Sequence, residues 1–600
     1  MAVPRAIGTR VLEWQHFRRA REMAAELRVA AIMAQRHPGP LSAFVRATSG
    51  FLSRRAADLP CDARTLALLN ELFDRGLLMS ERDLANRVLG TRVHDERRTI
   101  SSVCIITRDR PSELLRCIRS YGENAERHGR RVDFVVVDDS REEQIQRANF
   151  NGLRELSAQL GQRILYSSPA GRAAYTKRLA QESGEYELAQ FALFATEGCG
   201  EAMGAARNAV LLQTAGELIL SVDDDTVCLP AHAPNQRSNA NFADECDPTE
   251  FWFFEDRSAA CAFANRIDLD VIAGHEHLLG ADLPLAVRCA SSSNPIDFSR
   301  ACSHLVSSIL ADSGSIRLTF NGVYGDSGMY SGFGLLEHTE PGTRGRLLCS
   351  RVAYTTALTS REVFRSATAT TITHGPPVIG AMFGLDNRNL LPPFFPILRN
   401  EDGVFGATLA RCDEHGYFAH LPWAMAHFPG GRRQYYHYMA TADSFRLTDF
   451  VAALMLNCPA ISRNSADRMQ EIGQYLVKIG TMANSDFEYA LQSTMLHRFS
   501  RQSPYLLGLI DKYSGTPDFW ALDLSAWVER RCKALLSGSC IRAIDLPDCG
   551  NLEAIRRVIR RFGALLNAWP HLMATARRLK ADGVTLARDV NERSFEHEGG

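Results

Sequence analysis

Leu218-Ile219-Leu220-Ser221-Val222-Asp223-Asp224-Asp225 is a short apolar run that ends on three consecutive carboxylates. Such a run suits a strand buried on both faces of a sheet, with the acids surfacing at its end. A carboxylate cluster at that position is a place to hold a divalent metal and, through it, a diphosphate. Three adjacent like charges repel one another and raise their pKa values, so a bound cation or several basic neighbours are expected beside them.

Upstream of this strand, Ala202, Ala205, Ala206, Ala209 and Val210 follow the stripe of an amphipathic helix, and Gly216 suits its end. Arg207 and Asn208 fall off the stripe and are free to face the strand ends. Further back, Val103-Cys-Ile-Ile-Thr107 reads as a buried strand, Leu114, Leu115, Ile118 and Tyr121 as a helix, and Phe134-Val-Val-Val137 as a second strand closing on Asp138-Asp139-Ser140. This is a βαβ opening with polar residues at the carboxyl ends of both strands, where open α/β sheets bind their ligands.

Downstream, the Asn-, Asp-, Pro- and Ala-rich stretch from Cys228 to Pro248 and the Gly-rich stretch from Asn321 to Gly345 read as long surface loops beside the carboxylates. Beyond Gln434 the pattern turns helical, with Leu552, Ile555, Val558, Ile559, Phe562 and Leu566 on one stripe. Before residue 95 it is helical too: Leu66, Leu69, Leu72 and Phe73 follow Asp62, and Gly76 can end that helix. His94-Asp-Glu-Arg-Arg98 is a polar join.

The 600 residues are 45% hydrophobic, enough for a full core divided among several domains. A formal net charge of -1 gives no overall electrostatic case for nucleic acid, so phosphate recognition must be local. The 15 cysteines are scattered without a C-x-x-C pair, which fits a reducing cytoplasm. No stretch approaches the ~20 apolar residues of a membrane span, which leaves peripheral membrane contact as the most intimate membrane association.

Taken together, Val103-Cys-Ile-Ile-Thr107-Arg-Asp-Arg110, Val135-Val-Val-Asp138-Asp139-Ser140, Ala206-Arg207-Asn208 through Gly216-Glu217, the triple aspartate, and Arg399-Asn-Glu401-Asp402-Gly-Val-Phe405 occur in an order that resembles the GT-A glycosyltransferases of the large family 2 type. The resemblance covers residues 99–435. It implies an α/β, Rossmann-like nucleotide-diphospho-sugar transferase core, flanked by a helical domain at 1–95 and another at 436–600.

It also implies a nucleotide-sugar donor, a glycan, lipid-linked or peptide acceptor, and Mn²⁺ or Mg²⁺. Thr107, Arg108, Asp138 and Asp139 would lie at the nucleotide, with Asp139 ahead of Asp138 at the base. Arg207 would serve the pyrophosphate or its neighbouring carboxylates. Asp225 would ligate the metal, with Asp224 near the ribose and Asp223 holding the site or the metal's water. Asp402, with Glu401 second, would be the general base of an inverting displacement. His427 would complete the metal site, with His374 a weaker candidate, and Asp326 and Asp386 could contact sugar hydroxyls. The chain departs from the family at Asp109, where many members carry an aromatic residue. The basic cluster Arg556, Arg557, Arg560 and Arg561 reads as the solvated face of a helix.

Two rivals stand beside this reading. Asp223-Asp-Asp225-Thr226-Val227 also fits the opening motif of haloacid-dehalogenase-like phosphatases, with Asp223 as nucleophile. That fold would place the strand near the start of its domain, yet two strand–helix units precede it here. A non-catalytic scaffold on the same fold would lack acids at the metal or base positions, and this chain has them.

Overall fold

The computed structural model describes residues 81–592, except 91–97, 244–246, 292–295, 302, 312, 339, 376–379, 432, 514–517, 539–544 and 548–550. Of the helical reading before residue 95, only the helix Glu81–Gly90 falls among the described residues.

One 14-stranded mixed sheet organises the molecule. Its strands are β1 (Ile100–Thr107), β2 (Asp133–Asp138), β3 (Ile164–Ser167), β4 (Leu218–Asp223), β5 (Thr226–His232), β6 (Ala240–Ala243), β7 (Thr249–Phe253), β8 (Ile296–Arg300), β9 (Ser315–Asp326), β10 (Glu362–Ala367), β11 (Thr370–Thr373), β12 (Met382–Asp386), β13 (Gly416–His427) and β14 (Arg588–Asp589). The main path runs β14-β3-β2-β1-β4-β12-β9-β13-β11-β6-β8. The βαβ opening forms as read: β1 lies between β2 and β4, parallel to both, with helix Pro111–Arg127 crossing from β1 to β2.

Burial explains why these strands read as unbroken apolar runs. Val103 and Ile105 of β1 pack into the core on one face of the sheet, with Leu114, Cys117 and Ile118. Cys104 and Ile106 pack into the other, with Leu211, Leu212 and the C-terminal helices. Both faces are covered by helices, so no strand position needs to be polar until the strand ends.

β12 and β4 are antiparallel, as are β12 and β9, whereas β9 and β13 are parallel. β9 and β13 therefore run in the direction of β4. Thr107, Asp138, Asp223, Asp326 and His427, the last residues of five strands, share one edge.

Three expectations are corrected. The stretch after Cys228 is not one loop: β5 and β6 lie within it. Pro230 is tolerated because β13 is the only named strand that β5 pairs with; on its other side a single bridge joins Ala231 to Arg266, where the Pro230 carbonyl accepts from the Ile267 N–H at 2.9 Å. The Gly-rich stretch from Asn321 opens as the second half of β9. Gly322 marks a close crossing there, since a Cβ would stand 2.0 Å from the Arg365 carbonyl oxygen. The helix Met203–Gln213 is buried on every side, so its alanine stripe is not one face of an amphipathic surface helix. It is enclosed between the sheet and helix Leu552–Ala581, whose own stripe is buried from Ile555 to Leu566.

The C-terminal helices share a core with one face of the sheet, and β14 returns to pair with β3 at its outer side. No helix among the described residues is long and apolar enough to cross a membrane.

Candidate functional site

The triple aspartate turns tightly at the end of β4. The Asp223 N–H donates to the Ala381 carbonyl at 2.9 Å, and Thr226 Oγ1 to the Asp223 carbonyl at 2.9 Å. The chain then enters β5, whose Thr226 pairs with His427 of β13. That pairing sets the Asp225 carboxylate beside the imidazole, with Oδ1 3.1 Å from His427 Nε2. His427 Nδ1 lies 2.6 Å from the Asp326 backbone carbonyl. A carbonyl only accepts, so Nδ1 carries the hydrogen and Nε2 is turned toward Asp225.

Each aspartate has a different set of partners. Asp223 accepts from Arg207 Nη2 at 2.7 Å. Asp224 accepts from Thr107 Oγ1 at 2.8 Å and from Arg110 Nη1 at 3.1 Å. The same Arg110 nitrogen is 3.1 Å from Asp225 Oδ2, and Arg433 approaches that oxygen to 3.8 Å. The basic neighbours expected from charge repulsion are thus present.

Their proton affinities differ accordingly. Burial, and then the charge of Asp225, raises Asp224 to about 7. Burial raises Asp223 to about 6 against the pull of Arg207. Burial alone would raise Asp225 as well, but His427, Arg110 and Arg433 outweigh it and hold that carboxyl well below the usual range. His427 moves the other way: Asp225 overcomes the effect of burial and lifts the imidazole to about 9.

Arg207 links this turn to the second acidic motif. Its guanidinium is buried and also donates to Ser221 Oγ and the Gly380 carbonyl, both at 2.8 Å, while Nε reaches Glu401 at 3.4 Å. Glu401 and Asp402 open helix Glu401–Cys412, where acids are favoured by the helix dipole. Glu401 is buried and raised to about 7 by burial and by the charge of Asp402. Asp402 is less buried than Glu401, and burial raises it as well. A Cβ at Gly380 would stand 2.9 Å from Arg207 Nη2 and 3.1 Å from Asp402 Oδ2. Glycine is what lets this backbone pass between the two acidic motifs.

At the end of β2 the two aspartates part ways. Asp138 is saturated by the Ser140 N–H at 2.8 Å, Asn149 at 2.8 Å and the Tyr166 hydroxyl at 2.7 Å, so its carboxylate organises the loop. Asp139 is partly exposed and takes an ion pair from the buried Arg172, with Arg108 at 3.8 Å. Asp109 has a positive φ of 56°, which aspartate tolerates, and accepts the Arg141 N–H at 3.0 Å. It therefore ties the loop after β1 to the loop after β2.

Other candidates are structural. Asn208 bridges the Ala192 and Phe394 carbonyls at 3.0 Å and does not face the strand ends. Asp386 pairs with Leu218, so it lies at the opposite edge of the sheet, bonded to Arg388 at 2.9 Å. The carboxylate of Asp326 is occupied by Arg361 at 2.7 Å and by the Gly328 N–H at 2.8 Å. His374 packs on Tyr417, with ring centroids 5.7 Å apart. Arg556, Arg557, Arg560 and Arg561 are all half-buried rather than a solvated face, and Arg557 and Arg561 pair with the nearly buried Glu197.

Arg110, Arg172, Arg433 and Gly380 are additions that sequence reasoning did not single out. The only signal for Arg110 was its place in Arg108-Asp-Arg-Pro111 directly after a strand. Among the described residues no group of three or more His, Cys, Asp or Glu side chains is arranged to hold a metal ion; Asp225 and His427 form a pair. No protein-family model matches the chain, and no curated protein matches it.

Proposed function

We propose that the chain is a metal-dependent glycosyltransferase with a GT-A type core, moving a sugar from a nucleotide-diphosphate sugar to a hydroxyl of a glycan, lipid-linked or peptide acceptor. The observation that carries this reading is the bridge made by Arg207. One buried guanidinium bonds both Asp223, in the triple aspartate, and Glu401, in the second acidic motif. A cation-holding cluster and a base candidate therefore meet at the carboxyl edge of an α/β sheet, where such sheets take ligands.

Asp225 and His427 would hold Mn²⁺ or Mg²⁺ once His427 Nε2 gives up, to the incoming cation, the proton that Asp225 keeps on it. Adjacent ligands of an octahedral ion with bonds of ~2.1 Å stand about 3.0 Å apart. Asp225 Oδ1 and His427 Nε2 are 3.1 Å apart, and the Asp326 carbonyl fixes the ring. Two protein ligands leave the remaining positions to water and diphosphate. When bound, the cation neutralises charge growing on the departing diphosphate.

The protein's own groups account for the rest. Asp139 accepts an N–H from the base edge, and Arg108 stands at its rim. Thr107 orients Asp224 toward the ribose. Asp402 takes the proton of the acceptor hydroxyl as the new bond to the anomeric carbon forms and the bond to the diphosphate breaks, which inverts the configuration. The Gly403 N–H, which donates to Asp402 Oδ1 at 2.8 Å, keeps Asp402 in place, and Glu401 is held on Arg207.

The phosphatase reading is less well supported, because the Asp223 carboxylate it needs as a nucleophile is gripped by Arg207. The test is Mn²⁺- and Mg²⁺-dependent binding and slow hydrolysis of a nucleotide-sugar panel by the wild type and Asp225→Ala. Metal-dependent binding of one nucleotide, lost in the variant, is the expected result. No binding by folded wild type, with phosphate released from phosphomonoesters, would move the assignment to a phosphatase; silence in both assays would favour a scaffold.

A further inference from the structure

Arg110 stands out among the groups at the carboxyl edge because one atom of it serves two acids. Its Nη1 lies 3.1 Å from Asp224 Oδ1 and 3.1 Å from Asp225 Oδ2. The two carboxylates are fixed without it: Thr107 holds Asp224 and His427 holds Asp225. Their side chains are 6% and 5% exposed, whereas that of Arg110 is 38% exposed. The acids are set in the core and the arginine has room to move. Its Nε and Nη2 make no protein hydrogen bond among the described residues.

We propose that Arg110 is a movable counter-ion: its guanidinium clamps Asp224 and Asp225 until a divalent cation settles on Asp225, then passes to the diphosphate that comes with the cation. This rests on the donor site proposed above and assigns a diphosphate-binding residue that the sequence resemblance did not supply.

Electrostatics dictates the exchange. A divalent ion on Asp225 would lie within a few ångströms of the guanidinium, and repulsion between unit charges at that range is already appreciable in water and larger near a protein surface. The guanidinium is then driven off the two carboxylates. A diphosphate gives it a better partner, because the planar fork of an arginine matches phosphate oxygens two at a time. Position favours the transfer: Arg110 is the N-cap of helix Pro111–Arg127, at the end where the helix dipole favours an anion. Arg433, 28% exposed and 3.8 Å from Asp225, is too loosely held to be the clamp.

The exchange makes two effects of one substitution opposite in sign. In Arg110→Ala, Mn²⁺ alone, measured by titration calorimetry or electron paramagnetic resonance, should bind about fivefold more tightly because its competitor is gone. With Mn²⁺ saturating, nucleoside diphosphates from a uridine, guanosine, adenosine, cytidine and thymidine panel should bind about tenfold more weakly. Arg110→Lys keeps the charge but not the fork, so it should restore wild-type Mn²⁺ affinity while recovering little diphosphate affinity.

A purely structural clamp would weaken both ligands in Arg110→Ala, and a bystander would change neither; each result overturns the proposal. Thermal unfolding of the variants separates a binding change from loss of fold. If wild type binds Mn²⁺ but no nucleoside diphosphate, the glycosyltransferase reading and the transfer fail together. If wild type binds one but Arg110→Ala binds it equally well, the transfer alone fails.

Discussion

The two edges of the sheet handle charge in opposite ways. At the carboxyl edge, Asp223, Asp224, Asp225, Glu401 and Asp402 crowd around Arg207, Arg110 and His427, most of them buried, with carboxyls at about 6 and 7 and an imidazole at about 9. At the other edge, Glu217 has Lys580, Asp386 has Arg388, and Arg163 spans Asp133 and Asp589, mostly in partly exposed pairs. A cavity of about 560 Å³ lies at that second edge, between the starts of β1 to β3 and residues 580–592. Open space and crowded acids therefore lie at different edges of this sheet. Acids held together in burial cost stability, and such a cost is more often met where chemistry needs it.

The widest separation between the edges is expected from Asp225→Asn. It keeps the shape of the turn but removes the charge that His427, Arg110 and Arg433 share. Mn²⁺-dependent nucleotide binding should fall by ~100-fold or more by calorimetry. Retained binding would show that the carboxyl edge is no more a metal site than the other.

Next in size is Arg207→Met. A buried cation that loses its place leaves Asp223 and Glu401 uncompensated, and breaking a buried ion pair costs about 3–5 kcal/mol. Chemical denaturation should read a loss of that order. A loss below ~1 kcal/mol would mean that Arg207 is not what joins the two acidic motifs.

Much of the carboxyl edge was legible because its strands are buried on both faces. An apolar run that stops on a polar residue marks a strand end, and the pairings of Ile106 with Asp223 and Thr107 with Asp138 bring three such ends together. His427 was legible only through the family resemblance, and it proves to be the last residue of β13. β5 and the second half of β9 were not, since Pro230, Gly322 and Gly325 imitate loop composition where a strand edge or a close crossing demands them. Arg110, Arg172 and Arg433 were invisible for a different reason. Among 68 lysines and arginines, only tertiary packing decides which ones meet a given carboxylate.

A pH series sharpens the comparison further. Glu401 sits at about 7 in the fold against an ordinary 4.5. Between those values the native state keeps a proton that the unfolded chain has lost, so stability falls as pH rises from 4.5 toward 7. The contribution is on the order of 1–3 kcal/mol. Turnover should run the other way, rising over the same interval as the acidic pair sheds its proton and Asp402 becomes a base. Glu401→Gln should reduce the stability slope, leaving the part contributed by Asp223 and Asp224, which burial raises to about 6 and about 7. If stability and turnover rise together, or if the slope is undiminished in Glu401→Gln, the proton does not reside on this pair.

The smallest effect belongs to the opposite edge. Lys580 pairs with Glu217, which also accepts from Ser101, and the two charged side chains are 31% and 29% exposed. An ion pair so wetted gains little over its solvated parts, and salt screens what it gains. Lys580→Ala should cost ~0.2–1 kcal/mol, shrinking as salt is added, and should leave Mn²⁺-dependent nucleotide binding at its wild-type value. A larger or salt-independent loss, or a change in nucleotide affinity, would mean that the two edges are coupled through β1 and β4, and the contrast between a costly edge and an ordinary one would no longer hold.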